Sequence, residues 1–124
     1  MLRIITANLN GIRSAHTKGF FDWFGAQHAD LLCVQELKAQ AADMTDAFLA
    51  PHGYHGAFHY AQKKGYSGAG IYSRRAPDSV QIGFDGGEFD DEGRYVEARF
   101  GQLSVISVYL PSGSSSAERQ AAKF

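Results

Sequence analysis

The sequence is most informative at first through what it lacks. Cys33 is its single cysteine, so an intramolecular disulfide and a cysteine zinc cluster are both excluded. A reducing, cytoplasmic setting is the expectation. No apolar run approaches the roughly 20 residues of a membrane-spanning helix, so no membrane partner is expected. Met1-Leu2-Arg3-Ile4 enters a strand-like run without a basic segment or cleavage site, so no secretion signal is expected either. Neither sign of charge dominates: 12 Lys and Arg stand against 13 Asp and Glu, for a net charge of −1. No overall basic field therefore announces a nucleic-acid partner. None of the five histidines, His16, His28, His52, His55 and His59, has zinc-protease spacing, and all five read as surface residues. Gly65-Tyr66-Ser67-Gly68-Ala69-Gly70 lacks the lysine and the following helix of a P-loop. The acidic run Asp85 to Glu92 lacks the EF-hand pattern and reads as a solvated loop.

What is present is a chain of 124 residues, 44% hydrophobic and 20% charged, which suits one compact domain. Leu2 to Asn8 is a short apolar, β-rich run ended by Asn10-Gly11. Phe20, Trp23 and Phe24 recur at helical spacing and predict one helix from about Ile12 to His28. Leu31 to Gln35 is a second continuous apolar strand ending at Glu36. Strand, helix and strand in that order predict a right-handed βαβ unit with parallel strands. A shorter helix is expected over Ala42 to Leu49. Strands follow at Tyr54 to Tyr60, Ala69 to Arg74, Val80 to Phe84, Arg94 to Phe100 and Leu103 to Tyr109, with a tight hairpin at Gly101-Gln102. In the fourth of these, Val96, Ala98 and Phe100 alternate with Glu97 and Arg99, as in a strand with one wet face. A Ser-rich loop and a helix from Ala117 close the chain. Five of the 13 acids fall between Asp85 and Glu92, leaving 12 basic side chains against 8 acids elsewhere, a mildly basic remainder.

Asn8 and Glu36 each end a parallel strand, where open α/β sheets place their ligands. Glu36 closes an apolar run, where a carboxylate is costly unless paired or metal-bound. A hard cation such as Mg²⁺, held by one or two carboxylates plus phosphate and water, suits it. A surface pair with Lys38 is the simpler alternative. Tyr109 also ends a strand; its phenol is suited to a phosphate oxygen or proton transfer, or to covering the core edge. Lys63, Lys64 and Tyr66 suit a nucleic-acid backbone or a solvated loop. Arg94 suits an anion or an ion pair.

These residues lie in runs with a wider likeness. Asn8-Leu9-Asn10-Gly11-Ile12-Arg13 resembles the opening motif of the exodeoxyribonuclease III family of abasic-site (AP) endonucleases. Leu32-Cys33-Val34-Gln35-Glu36-Leu37-Lys38 is similar to its second motif, Gly65 to Gly70 to its third, Glu92-Gly93-Arg94 to its fourth, and Tyr109-Leu110-Pro111-Ser112-Gly113 to its Tyr-x-Pro segment. The order of five motifs is more specific than any one. More distantly the runs resemble the endonuclease/exonuclease/phosphatase superfamily, with its DNase I-like nucleases, inositol phosphatases and sphingomyelinases.

The resemblance implies a two-sheet α/β sandwich of which residues 1–124 form the N-terminal half: one mixed sheet with helices on one face. It implies a Mg²⁺ cofactor, with Mn²⁺ as the alternative, held by Glu36 and Asn8. Tyr109 joins these two as a catalytic residue at the scissile phosphate. Asn10, Arg13, Lys38, Tyr66, Arg94 and Ser112 would line or support the DNA-facing surface. The implied activity is phosphodiester hydrolysis in DNA base-excision repair, on double-stranded DNA with abasic sites or 3′ ends.

The chain also departs from the pattern. Asn10 stands where some members have Asp, and Ser112 where some have Asn. The family's later Gly-Asp-x-Asn motif and terminal Asp-His pair, which activate the water, are absent, so the 124 residues alone are expected to be inactive. The alternatives are a non-catalytic anion-binding or assembly domain and another phosphoesterase of the superfamily. A single sheet would leave one apolar face bare, and self-association through that face is expected.

Overall fold

The computed structural model of the chain describes residues 2–62, 65–83 and 93–109. The acidic run, Lys63, Lys64, Phe84, Ser112, the Ser-rich loop and the expected final helix lie outside the described residues. The elements are β1 (Ile4–Asn8), α1 (Ile12–Thr17), α2 (Phe20–Gly25), β2 (Leu31–Gln35), a 3₁₀ turn (Ala41–Asp43), α3 (Asp46–Leu49), a second 3₁₀ turn (Pro51–Gly53), β3 (His55–His59), β4 (Ala69–Ser73), β5 (Ser79–Ile82), β6 (Tyr95–Phe100) and β7 (Leu103–Val108).

The expected mixed sheet is present, in the order β1-β2-β4-β3. β1 and β2 are parallel, with Asn8 opposite Gln35; β4 is antiparallel to both its neighbours. The expected single helix is two. Gly19, at φ 88°, ends the first helix in the left-handed region and starts the second, a conformation that glycine adopts without a Cβ clash. The second expected helix likewise resolves into a 3₁₀ turn and the one-turn α3. On the helical side, Ile12, Phe24, Leu32, Val34, Leu37 and Tyr72 are fully buried. Burial of a side chain such as Phe24 contributes about 2–3 kcal/mol. The Tyr72 and Tyr54 hydroxyls each donate to a backbone carbonyl, of Phe48 and Ala29, at 2.6 Å, so their burial leaves no donor unsatisfied.

The opposite face is not bare, contrary to the expectation of one sheet. A second, antiparallel sheet, β5-β6-β7, lies against it. Leu31, Cys33, Ala69 and Ile71 of the first sheet pack on Val96, Ala98 and Val105 of the second. This is the other half of the period-2 alternation: in β2, Leu32 and Val34 meet the helices while Leu31 and Cys33 meet the second sheet. The hairpin at Gly101-Gln102 forms as expected. β7 and β6 cover β2, β3 and β4, but β1 stands outside this cover. Its row Ile4, Thr6 and Asn8 is exposed, as are Leu103, Ile106 and Val108 of β7.

Two surface assignments change. Glu97 is 8% exposed; it accepts hydrogen bonds from Tyr95 and Ser104 and pairs with Arg99. Those partners replace the water that the alternation pattern assigned to it. His59 is buried, its Nδ1 accepting from the Tyr95 amide at 3.4 Å, because β6 lies over β3.

Candidate active site

Three loops meet at the C-terminal ends of β1 and β2, and their backbones hold one another. Gly11 N–H donates to the Glu36 carbonyl at 2.8 Å and Ile12 N–H to that of Leu37 at 2.9 Å. From the other side, Leu37 and Lys38 N–H donate to the carbonyls of Gly68 and Ser67 at 3.2 and 2.8 Å. Glu36 and Lys38 both adopt left-handed backbone, at φ 54° and 51°, and flank the fully buried Leu37. Such a residue costs about 1–2 kcal/mol; the burial of Leu37 and the four backbone bonds offset it. Gly68 is required at this junction: its φ is 94°, and a Cβ there would lie 2.9 Å from that of Leu37.

β7 delivers the fourth component. Ser107, 1% exposed, donates its hydroxyl to the Val34 carbonyl at 3.0 Å and accepts from Gln35 Nε2 at 3.1 Å. This polar staple between the sheets sets Tyr109, two residues on, beside Glu36. The Tyr109 phenol donates to Glu36 Oε1 at 2.6 Å. The staple residues Gln35 and Ser107 were not singled out in the sequence. Their signal was a serine at an inward-facing position of an apolar alternation.

Around this bond the expected residues gather. The Asn8 side chain favours the charged form of Glu36 and accepts from the Asn10 amide at 3.0 Å. Lys38 Nζ lies 3.9 Å from Glu36 Oε2 and donates to Asn10 Oδ1 at 2.7 Å. Arg13 donates to the Lys38 carbonyl at 3.3 Å. Arg94, 2% exposed, donates to the Tyr66 hydroxyl at 2.7 Å and to the Tyr109 carbonyl at 3.1 Å. Asn8, Asn10, Arg13, Glu36, Lys38, Tyr66, Arg94 and Tyr109 thus form one connected network.

The Tyr109 hydrogen bond, with smaller contributions from Asn8, Lys38 and Arg94, holds the Glu36 carboxyl below the usual carboxylate range against its partial desolvation. The same bond to Glu36 raises the Tyr109 phenol. The carboxylate is therefore ionised and the phenol protonated at neutral pH. Among the described residues no three His, Cys, Asp or Glu side chains cluster as a metal cage. The donors present are the Glu36 carboxylate and the Asn8 amide. That hard oxygen set fits a cation such as Mg²⁺, which keeps several waters and shares its shell with phosphate.

The chain belongs to the Endonuclease/Exonuclease/phosphatase family, whose sequence pattern matches residues 5–123. It is 35% identical over 119 residues to an exodeoxyribonuclease of Bacillus subtilis (strain 168), covering 95% of this chain and 46% of the relative. The fold matches an AP endonuclease from Archaeoglobus fulgidus with a TM-score of 0.83 and 34% identity, covering 99% of this chain and 47% of that one. A 3′ phosphatase from Neisseria, bound to a product DNA hairpin, matches with a TM-score of 0.84 and 26% identity, with 99% and 47% covered. The chain spans about half the length of the relatives it matches. The two-sheet α/β architecture is that of these nucleases, and nucleases of the family generally use divalent metals.

Proposed function

We propose that the chain carries the metal- and phosphate-binding part of a Mg²⁺-dependent DNA phosphodiesterase of the exodeoxyribonuclease III and AP endonuclease type. The observation that supports it most is the convergence of Asn8, Glu36 and Tyr109 from three strand ends. Glu36 and Asn8 are the residues that would hold Mg²⁺, or Mn²⁺ in its place. When bound, the ion would neutralise charge on the phosphate. Tyr109 has a single phenolic proton, given to Glu36 in this structure; with Glu36 turned to the ion, that proton would go to a phosphate oxygen. Asn10, Arg13 and Lys38 border it as a polar and basic rim for the DNA backbone, with Tyr66 in the adjoining loop. The family resemblance adds Ser112 to the residues proposed for DNA contact. Double-stranded DNA with abasic sites or 3′ ends is the proposed substrate. An abasic nucleotide costs less to extrude than a paired base, which favours its selection.

Among the described residues, the groups that act on Glu36 are Tyr109, Asn8, Lys38 and Arg94, none of them a carboxylate or histidine that could activate a water. We therefore propose that the 124 residues alone do not incise DNA. Gel analysis of an abasic duplex with the pure chain and Mg²⁺ tests this: incision abolished by Glu36→Gln would overturn the inactivity. Binding without preference for the abasic duplex over an intact one would instead favour the non-catalytic anion-binding domain.

The uncovered Ile4, Leu103, Ile106 and Val108 support a second proposal, that the chain self-associates along this edge rather than through a whole sheet face. Light scattering at rising concentration checks it, with a constant monomer mass as the adverse outcome.

A further inference from the structure

We propose that Arg94 is a positioning residue that clamps Tyr109 against Glu36 and ties it to Tyr66, so that the loop at Gly65 and the strand end at Tyr109 act as one unit. Any role of the clamp in catalysis rests on the function proposed above; the clamp itself rests on geometry.

The guanidinium is enclosed by two aromatic rings, with its carbon 5.6 Å from the Tyr66 centroid and 5.0 Å from that of Tyr109. Its two terminal nitrogens are divided between the residues, one to the Tyr66 hydroxyl and one to the Tyr109 carbonyl. The backbone closes the pair in the other direction, with Tyr109 N–H donating to the Arg94 carbonyl at 2.9 Å. Tyr109 is thus held through both its main-chain groups and against its ring, leaving the hydroxyl to reach Glu36. Arg94 is 2% exposed, and its bonds to Tyr66 and Tyr109 lie inside the protein.

Gly93 makes the approach feasible. It is left-handed at φ 63°, and a Cβ there would fall against the backbone of Ala61 and 2.6 Å from the Tyr60 carbonyl carbon. Arginine is the residue type this arrangement requires. A planar fork can stack between rings while donating in two directions; an ammonium supplies the charge without the plane or the fork. Arg94→Lys therefore separates a clamp from a simple source of positive charge.

The test uses the 124-residue chain with its six tyrosines replaced by 3-fluorotyrosine, read by ¹⁹F NMR without metal or DNA. Tyr109→Phe and Tyr66→Phe assign the two lines. In Arg94→Lys the Tyr66 and Tyr109 lines are expected to move by more than their widths, while Tyr72, seated in the helical core, stays in place. Unmoved Tyr66 and Tyr109 lines in folded Arg94→Lys overturn the clamp. So does a movement shared equally by Tyr72, which marks general loosening. If Arg94→Lys does not fold, Tyr66→Phe decides: it keeps the ring and removes the oxygen that Arg94 binds. A displaced Tyr109 line then supports the clamp, and an unchanged one overturns it. Because neither DNA nor metal is added, failure of the clamp is distinct from failure of the proposed nuclease function.

Discussion

Tyr109 and Glu36 meet across 2.6 Å from strand ends that belong to different sheets. The bond depends on the stacking of the two sheets as much as on either loop. Its geometry reports whether the sandwich is correctly assembled.

That pair has a defined pH signature. The carboxyl of Glu36 is depressed from 4.5, so the stability it contributes is complete above that value and is lost as pH falls through its lower folded value. The phenol of Tyr109 is raised from 10.0, so its contribution is complete below that value and is lost as pH rises through the higher folded one. Tyr109→Phe is therefore expected to cost about 1 kcal/mol near neutrality, less in strong acid and less in strong base. Urea denaturation across pH measures the difference. A gap as large in acid as at neutrality would count against the assignment.

Gly93→Ala and Gly101→Ala are expected to differ sharply although both glycines have φ 63°. Nothing lies within 4 Å of a Cβ at Gly101, whereas one at Gly93 meets backbone atoms of residues 59–61. Gly101→Ala should cost only the left-handed strain, about 1–2 kcal/mol. Gly93→Ala should cost about 3 kcal/mol or more. Thermal unfolding of the two variants side by side provides the comparison, and equal losses would refute the close approach.

Ser107→Ala removes the polar staple between the sheets. It deprives Gln35 Nε2 of an acceptor and the Val34 carbonyl of a donor, so a loss of about 1–3 kcal/mol is expected. The Tyr109 resonance should shift with it. A variant as stable as the parent would show that the staple carries little.

Lys38→Met tests the rim. Its 3.9 Å pair with Glu36 is made by a side chain 40% exposed, so stability should change by less than about 1 kcal/mol. If Lys38 faces DNA as proposed, duplex binding weakens and the slope of log affinity against log salt falls by about 1. Fluorescence anisotropy over a salt series measures both, and an unchanged slope would remove Lys38 from the interface.

Much of this organisation was legible in the sequence, and most of the failures share one cause. The βαβ unit, the strand positions and the hairpin follow from local periodicity and turn residues. Asn8 and Glu36 are legible because parallel strand ends converge. The helical spacing of Phe20, Trp23 and Phe24 holds within α2; what it does not carry is the break before it, where left-handed Gly19 separates α2 from α1. The second sheet's placement, the burial of Glu97 and His59, and the meeting of Tyr109 with Glu36 depend on which surfaces face each other. Periodicity in one strand does not carry that information. Arg94 is the clearest instance: as a sequence position it suits an anion or an ion pair, and its bonds to Tyr66 and Tyr109 arise only where separate loops meet.

Asn8 shares its outward row on β1 with Ile4 and Thr6, the row that the second sheet leaves uncovered. A partner that covered the whole of that row would also come down beside Asn8 and Glu36. On the function proposed above, desolvating the ledge and enclosing a bound phosphate would then be a single event. A ligand that favours the enclosed site would tighten the cover by the same factor that the cover tightens the ligand.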